Sequence, residues 1–210
     1  MILPLRLALL MLVAASLCSA QTPLANLHPY PKTAFAVGGP FQLQPPGLIV
    51  VPSISGDMQM NLVSWLHRRI TETVGTSMTV IEASRHDGAP AIFVARFGES
   101  PAFDAMMLER MPNGEPIPPA GGYVVDVTPQ RVLLMGADIE GIGNAIATFM
   151  QLISPTREVQ AAHIWDYPDY PVRWVFNMQN LRGANAIGNL RAILDTMSVL
   201  KLNAIQQNDF

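Results

Sequence analysis

The chain has 210 residues, of which 50% are hydrophobic and 14% charged, with a formal net charge of −3 and one cysteine. That composition excludes disordered, collagenous, coiled-coil and disulfide-scaffold proteins. The lack of a basic block argues against a nucleic-acid surface built on phosphate neutralisation. A complete (β/α)8 barrel takes roughly 250 residues, so the chain is too short to hold one beside another domain.

Residues 1–20 read MILPLRLALLMLVAASLCSA: one cation at Arg6, an apolar run from Leu7 to Leu17, then small residues ending at Ala20. This is the order of a secretory signal peptide, and the run is shorter than the about 20 residues of a membrane span. Cleavage after Ala20 and export to the periplasm or the extracellular space are expected. A lipid anchor at Cys18 is disfavoured, because Leu17 stands where a small residue belongs. No later segment is long and apolar enough to span a bilayer.

Residues 21–46 are rich in proline and read as an extended leader. Leu48–Val51 is a short apolar run before Pro52 and predicts a strand. From Asp57, a candidate N-cap, the period changes. Leu62, Trp65, Leu66, Ile70 and Val74 recur at helical spacing until Gly75. Met78–Ile81 and Ala91–Val94 predict two further strands. Pro101–Pro119 is rich in proline and reads as an irregular surface loop. Tyr123–Val127 and Arg131–Met135 flank Thr128-Pro129-Gln130 and predict a hairpin. Asp138 then opens a helix whose buried face is Ile142, Ile146, Phe149 and Ile153, closed by Ser154-Pro155. Ala161–Trp165 completes a small α+β domain over residues 47–165, a mixed sheet with two helices on one face.

Beyond the punctuated Asp166–Pro171 the pattern starts afresh. Trp174–Met178, Ile187–Leu202 and Asn203–Gln207 predict strand, helix and strand, one βαβ unit of a parallel sheet. A lone unit leaves both strand edges unpaired, so residues 166–210 read as the incomplete start of a larger domain.

Candidate chemistry is sparse. His28, His67, His86 and His163 show no metal-ligand spacing. Gly141-Ile142-Gly143 follows a hairpin arm and has Ile146 where a third glycine belongs, so a tight turn into the helix explains it better than a dinucleotide loop. No Gly-x-Ser-x-Gly elbow occurs. Trp165, Tyr167, Tyr170, Trp174 and Phe176 form an aromatic cluster that suits either sugar stacking or the packing of a domain junction. Residue types alone identify no enzyme, metal or cofactor.

Two stretches resemble a known family. GGYVVDVTPQRVLLMGADIEGIGNAIATFMQLI (Gly121 to Ile153) is similar, through Gly122-Tyr123, Ala137, Gly141, Gly143 and Gln151-Leu152, to the small domain that precedes the barrel in glycoside hydrolase family 20. IWDYPDYPVRW (Ile164 to Trp174), with Met197 and Lys201-Leu202-Asn203, resembles that family's lead into its (β/α)8 barrel. The resemblance implies a β-N-acetylhexosaminidase acting by substrate-assisted retention on a carbohydrate partner. It also implies that residues 166–210 begin a truncated (β/α)8 barrel. The family's catalytic Asp-Glu pair lies on the fourth barrel strand, so no catalytic residue is expected in this chain. Two departures stand out. Arg182 falls one position beyond the family's sugar-gripping arginine, and Gln206-Gln207-Asn208 replaces a His-x-His pattern. Arg182, Asn208 and Asp209 are the sugar-contact candidates that remain. The competing expectation is a non-catalytic carbohydrate-binding or interaction module ending at Phe210.

Overall fold

The computed structural model describes residues 24–53, 57–112, 114–177 and 186–207. β3 (Gly47–Val51) shows why a central sheet forms: Ile49 and Val51 point into one core and Val50 into another, all fully buried. A strand apolar on both faces belongs inside a sheet covered on both sides. Around it run β4 (Met78–Glu82), β5 (Ala91–Arg96) and β7 (Arg131–Gly136), all parallel. β6 (Tyr123–Val127) pairs antiparallel with β7 through the expected hairpin, and β9 (Ala162–Asp166) pairs antiparallel with β6.

The seventh strand, β1 (Thr33–Ala36), comes from the segment expected as an extended leader and pairs antiparallel with β9. The full order is β1-β9-β6-β7-β5-β3-β4. A second leader strand, β2 (Phe41–Gln42), pairs with β8 (Glu158–Val159) in a separate ribbon. Residues 33–36 therefore form the sheet edge and residues 41–42 a ribbon beside it, so this segment is part of the domain.

Two helices cover one face. α1 (Asp57–Val74) buries Val63, Leu66 and Ile70, and α3 (Ile139–Gln151) buries Ile142, Ala145, Ile146 and Phe149. Spacings of three and four residues put each set on one helical stripe. The side chain of Asp57 lies outside the described residues, whereas Asp138 caps α3 by accepting from the Gly141 amide at 2.8 Å.

The opposite face carries a helix where the sequence predicts an irregular loop, α2 (Pro101–Leu108). Phe103 and Met107, one turn apart, are buried against Phe93, Val124 and Leu133. Ser100 at the N-cap position, Pro101 at the first helical residue and the i, i+4 pair are a start signal; the prolines that follow obscured it.

After β9 the chain runs into β10 (Trp174–Asn177), α4 (Ala186–Val199) and β11 (Ala204–Gln207), with β10 and β11 parallel. This is the expected βαβ unit, two strands wide.

Candidate domain-junction site

The polar groups of the resemblance motifs converge where the small domain meets the βαβ unit. Asp166 stands at the end of β9, directly across from Tyr123 of β6. Its Oδ2 accepts from the Tyr123 hydroxyl at 2.9 Å and from Lys201 Nζ at 3.2 Å, while Oδ1 accepts from the Lys32 amide at 3.3 Å. One carboxylate thus ties together the lead into β1, the middle of the sheet and the end of α4.

Tyr123 is fully buried, and its hydroxyl also meets Lys201 Nζ at 2.5 Å and Thr148 Oγ1 at 2.7 Å. A phenol has a single hydrogen to give. With Asp166 taking it, the ammonium and the Thr148 hydroxyl must both donate to Tyr123. Burial, reinforced by the Asp166 charge, pushes the Tyr123 pKa well above its ordinary 10.0, so the phenol stays protonated. Burial pulls Lys201 below its ordinary 10.5, and the Asp166 charge opposes that shift.

A second, more exposed set lies beside the first. Glu140, in the first turn of α3 where a negative charge suits the helix dipole, pairs with Arg173 Nη2 and accepts from Asn203 Nδ2 at 3.1 Å. Arg173 also donates from Nε to the Lys201 carbonyl at 2.7 Å and from Nη1 to the Tyr170 carbonyl at 2.8 Å. Asn203 returns to the same loop by accepting from the Arg173 amide and donating to the Pro171 carbonyl, both at 2.8 Å. Gln151 ends α3 by clamping the leader, since it accepts from the His28 amide and donates to its carbonyl, both at 2.8 Å.

Gly141 and Gly136 are required by close approach. A Cβ on Gly141 would collide with the Gly122 carbonyl, and one on Gly136 with the Ile142 amide. Gly141 is therefore explained by packing, whereas a Cβ on Gly143 would meet only the Leu62 side chain at 3.7 Å. Beside the junction, a cleft of about 510 Å³ opens between α1 and α4. Met58, Leu62, Trp65 and Leu194 line it, with Arg68 and Asp195 at its polar side.

The aromatic cluster divides. Trp165 is half-buried, donates to the Pro116 carbonyl at 2.8 Å and meets Tyr167 edge-on at 5.2 Å, and Lys32 lies 4.5 Å over the Tyr167 ring. Tyr170 and Trp174 are 72% and 55% exposed, and the Phe176 side chain lies outside the described residues. Arg182, Asn208 and Asp209 also lie outside them, as do residues 1–20 with Cys18. Among the described residues no group of three His, Cys, Asp or Glu side chains could hold a metal, and no helix is long and apolar enough to cross a membrane. The Asp166 and Glu140 carboxylates are each paired with a cation, Lys201 and Arg173.

These features define a small mixed α/β domain bonded through its last strand to a βαβ unit. Residues 25–167 match the family model for glycosyl hydrolase family 20, domain 2. The chain belongs to glycosyl hydrolase family 20. By sequence, no curated protein matches it significantly. Among solved structures it is similar to Streptomyces plicatus N-acetyl-β-hexosaminidase, with a TM-score of 0.64 and 18% identity over 88% of this chain and 34% of that one. The GH20 exo-β-N-acetylglucosaminidase of Vibrio harveyi gives 0.62 and 15% over 88% and 25%. The β-N-acetylhexosaminidase of Bacteroides fragilis gives 0.60 and 17% over 85% and 31%. The chain thus spans about a third or less of the length of these proteins.

Proposed function

We propose that the chain is the amino-terminal part of an exported glycosidase of the β-N-acetylhexosaminidase type. In this reading residues 166–210 begin its (β/α)8 barrel, and the catalytic Asp-Glu pair belongs to a later strand, beyond Phe210. The observation that carries it is the continuous path from a family-20 domain, through Asp166 and Arg173, into a parallel β10-α4-β11 unit. The reaction would be substrate-assisted retention on a terminal N-acetylhexosamine or related sugar. A glutamic acid protonates the glycosidic oxygen, the substrate's acetamido carbonyl attacks the anomeric carbon, and the aspartate orients the amide. The Vibrio harveyi enzyme has been seen with N-acetylglucosamine, which supports that choice of sugar. Arg182, Asn208 and Asp209 are proposed sugar contacts, and Lys201, Arg173 and Asn203 hold the unit in place.

The exposure of Tyr170 and Trp174 favours a second reading, a non-catalytic carbohydrate-binding module that stacks sugars on these rings. The intact mass of the native exported product, with an assay on an aryl N-acetyl-β-glucosaminide, separates the two. The glycosidase reading expects a mass well above that of residues 21–210 and turnover by the native product. It also expects no turnover by residues 21–210 alone. A native product that matches residues 21–210 in mass, or clear hydrolysis by that segment, would overturn it.

A further inference from the structure

A separate charged cluster sits on the α2 side of the sheet, away from the junction. His163 of β9 is 1% exposed, and both of its ring nitrogens face carboxylates. Nδ1 lies 3.1 Å from Asp126 Oδ1 on β6, and Nε2 lies 2.8 Å from Glu115 Oε2. Asp126 Oδ2 accepts from Arg110 Nε at 3.0 Å. Arg110 and Glu115 belong to the connection that leaves α2 and crosses the sheet face, described at residues 109–112 and 114–119, a strap. Its third tie is the Trp165 indole, which donates to the Pro116 carbonyl at 2.8 Å. The charged and titratable groups facing His163 are therefore Asp126 from β6 and Glu115 from the strap, with Arg110 behind Asp126. β1 contributes only the Phe35 ring, 5.2 Å from the imidazole between centroids.

With both carboxylates ionised, donor counting gives the protonation state of the ring. A neutral imidazole has one N–H and one lone pair, so one of the two contacts would set a lone pair against a carboxylate oxygen. Only the imidazolium donates on both sides. With it in place, two cations and two carboxylates close to a neutral set around the fully buried Asp126. Loss of the proton leaves an uncompensated negative charge in a buried place. Asp126 retains Arg110 and the Nδ1 proton, so the carboxylate that loses its donor is Glu115, the one carried by the strap.

We propose that His163 is a pH-operated latch, holding the strap on the sheet while its imidazolium bridges Asp126 and Glu115 and releasing the Glu115 end when it loses its proton. Burial lowers the imidazole pKa, but the hydrogen bonds and charges of Asp126 and Glu115 outweigh it, and the net shift is upward from 6.5. A group whose folded pKa is raised contributes stability fully below its unfolded pKa and loses it as pH rises through the folded value. Release therefore belongs on the alkaline side of 6.5.

Hydrogen exchange on the full chain, corrected for intrinsic rates and followed from about pH 6 to about pH 9, tests this. Protection of the strap peptide should fall about tenfold or more over that range, while peptides from β5, β7 and α3 keep theirs. His163→Gln should leave the strap weakly protected at both ends of the range. Glu115→Gln is the sharper variant. Its amide can accept from an imidazolium and donate to a neutral ring, so the strap should stay protected throughout with no step. Native strap protection that does not change with pH, or a step that survives in Glu115→Gln, would refute the latch. The Glu115→Gln result decides the matter even where His163→Gln fails to fold.

Discussion

Lys201 adopts φ 57°, a left-handed conformation unusual for a residue with a Cβ. It follows the last turn of α4, where the Leu202 amide reaches back to the Met197 carbonyl at 2.8 Å in the manner of a Schellman ending. Glycine is the usual occupant there, and the lysine costs about 1 kcal/mol of backbone strain. What offsets that strain is the ammonium, which meets Asp166 and Tyr123. Breaking a buried pair by removing one partner costs about 3 kcal/mol. Lys201→Gly should therefore destabilise by about 2 kcal/mol although it relaxes the backbone, and Lys201→Met, which relaxes nothing, by about 3 kcal/mol. Urea unfolding of both variants checks the order. A Lys201→Gly chain as stable as the native one would mean that the pair contributes nothing. Asp138 is a simpler case, because its two oxygens accept from the Gly141 and Gly121 amides, each at 2.8 Å. Asp138→Ala should cost about 1–2 kcal/mol, and a change within error in the same titration would rule out the cap as a stabiliser.

At the scale of elements, β1 is the piece with the largest leverage for its length. Its four residues cover the open edge of β9, and the chain that carries them is tied back by the Lys32 amide and by Gln151. Deleting residues 24–36 should uncover β9 as an unpaired edge and raise self-association above that of the undeleted chain, as read by light scattering. Unchanged association after that deletion would mean that β9 needs no cover. The same strand marks the limit of sequence reading. α1, α3, the β6–β7 hairpin and β3 follow from periodicity, because their apolar residues repeat at 3.6 or run unbroken. β1 has the pattern Thr33-Ala34-Phe35-Ala36, short and only half-buried, so its assignment depends on a partner 129 or so positions away in sequence, beyond the reach of any local signal. α2 was hidden for a different reason, two turns of helix lying against a proline-rich strap. At the junction, the motif residues Gly122-Tyr123, Gln151 and Lys201-Leu202-Asn203 were visible as a pattern, but their partners were not. That Asp166 gathers Lys32, Tyr123 and Lys201 depends on three elements meeting in space.

For the whole molecule, the small domain and the βαβ unit differ sharply in how well they cover themselves. The sheet of the first is buried on both faces, whereas the second leaves Val172, Trp174, Ile187, Leu194 and Leu200 exposed within 29 or so residues. Large exposed apolar patches are uncommon on soluble proteins, and a parallel pair with one crossover helix buries only part of its strands. If that surface is the unfinished side of a barrel, removing it should improve solution behaviour while removing Lys201 should harm stability. A chain ending at Asp169 keeps β9 whole but deprives Asp166 and Tyr123 of their ammonium. The two effects therefore separate. The shortened chain should bind less of a hydrophobic dye and aggregate less at equal concentration, yet unfold at a lower urea midpoint by about 3 kcal/mol in stability. Equal dye binding by the two chains would show that the exposed side chains of the βαβ unit form no adhesive face, and the incomplete-barrel reading would lose its physical support. An unchanged urea midpoint would instead place the stability of the small domain wholly within its own two cores, with the Lys201 pair serving only to orient the unit that follows.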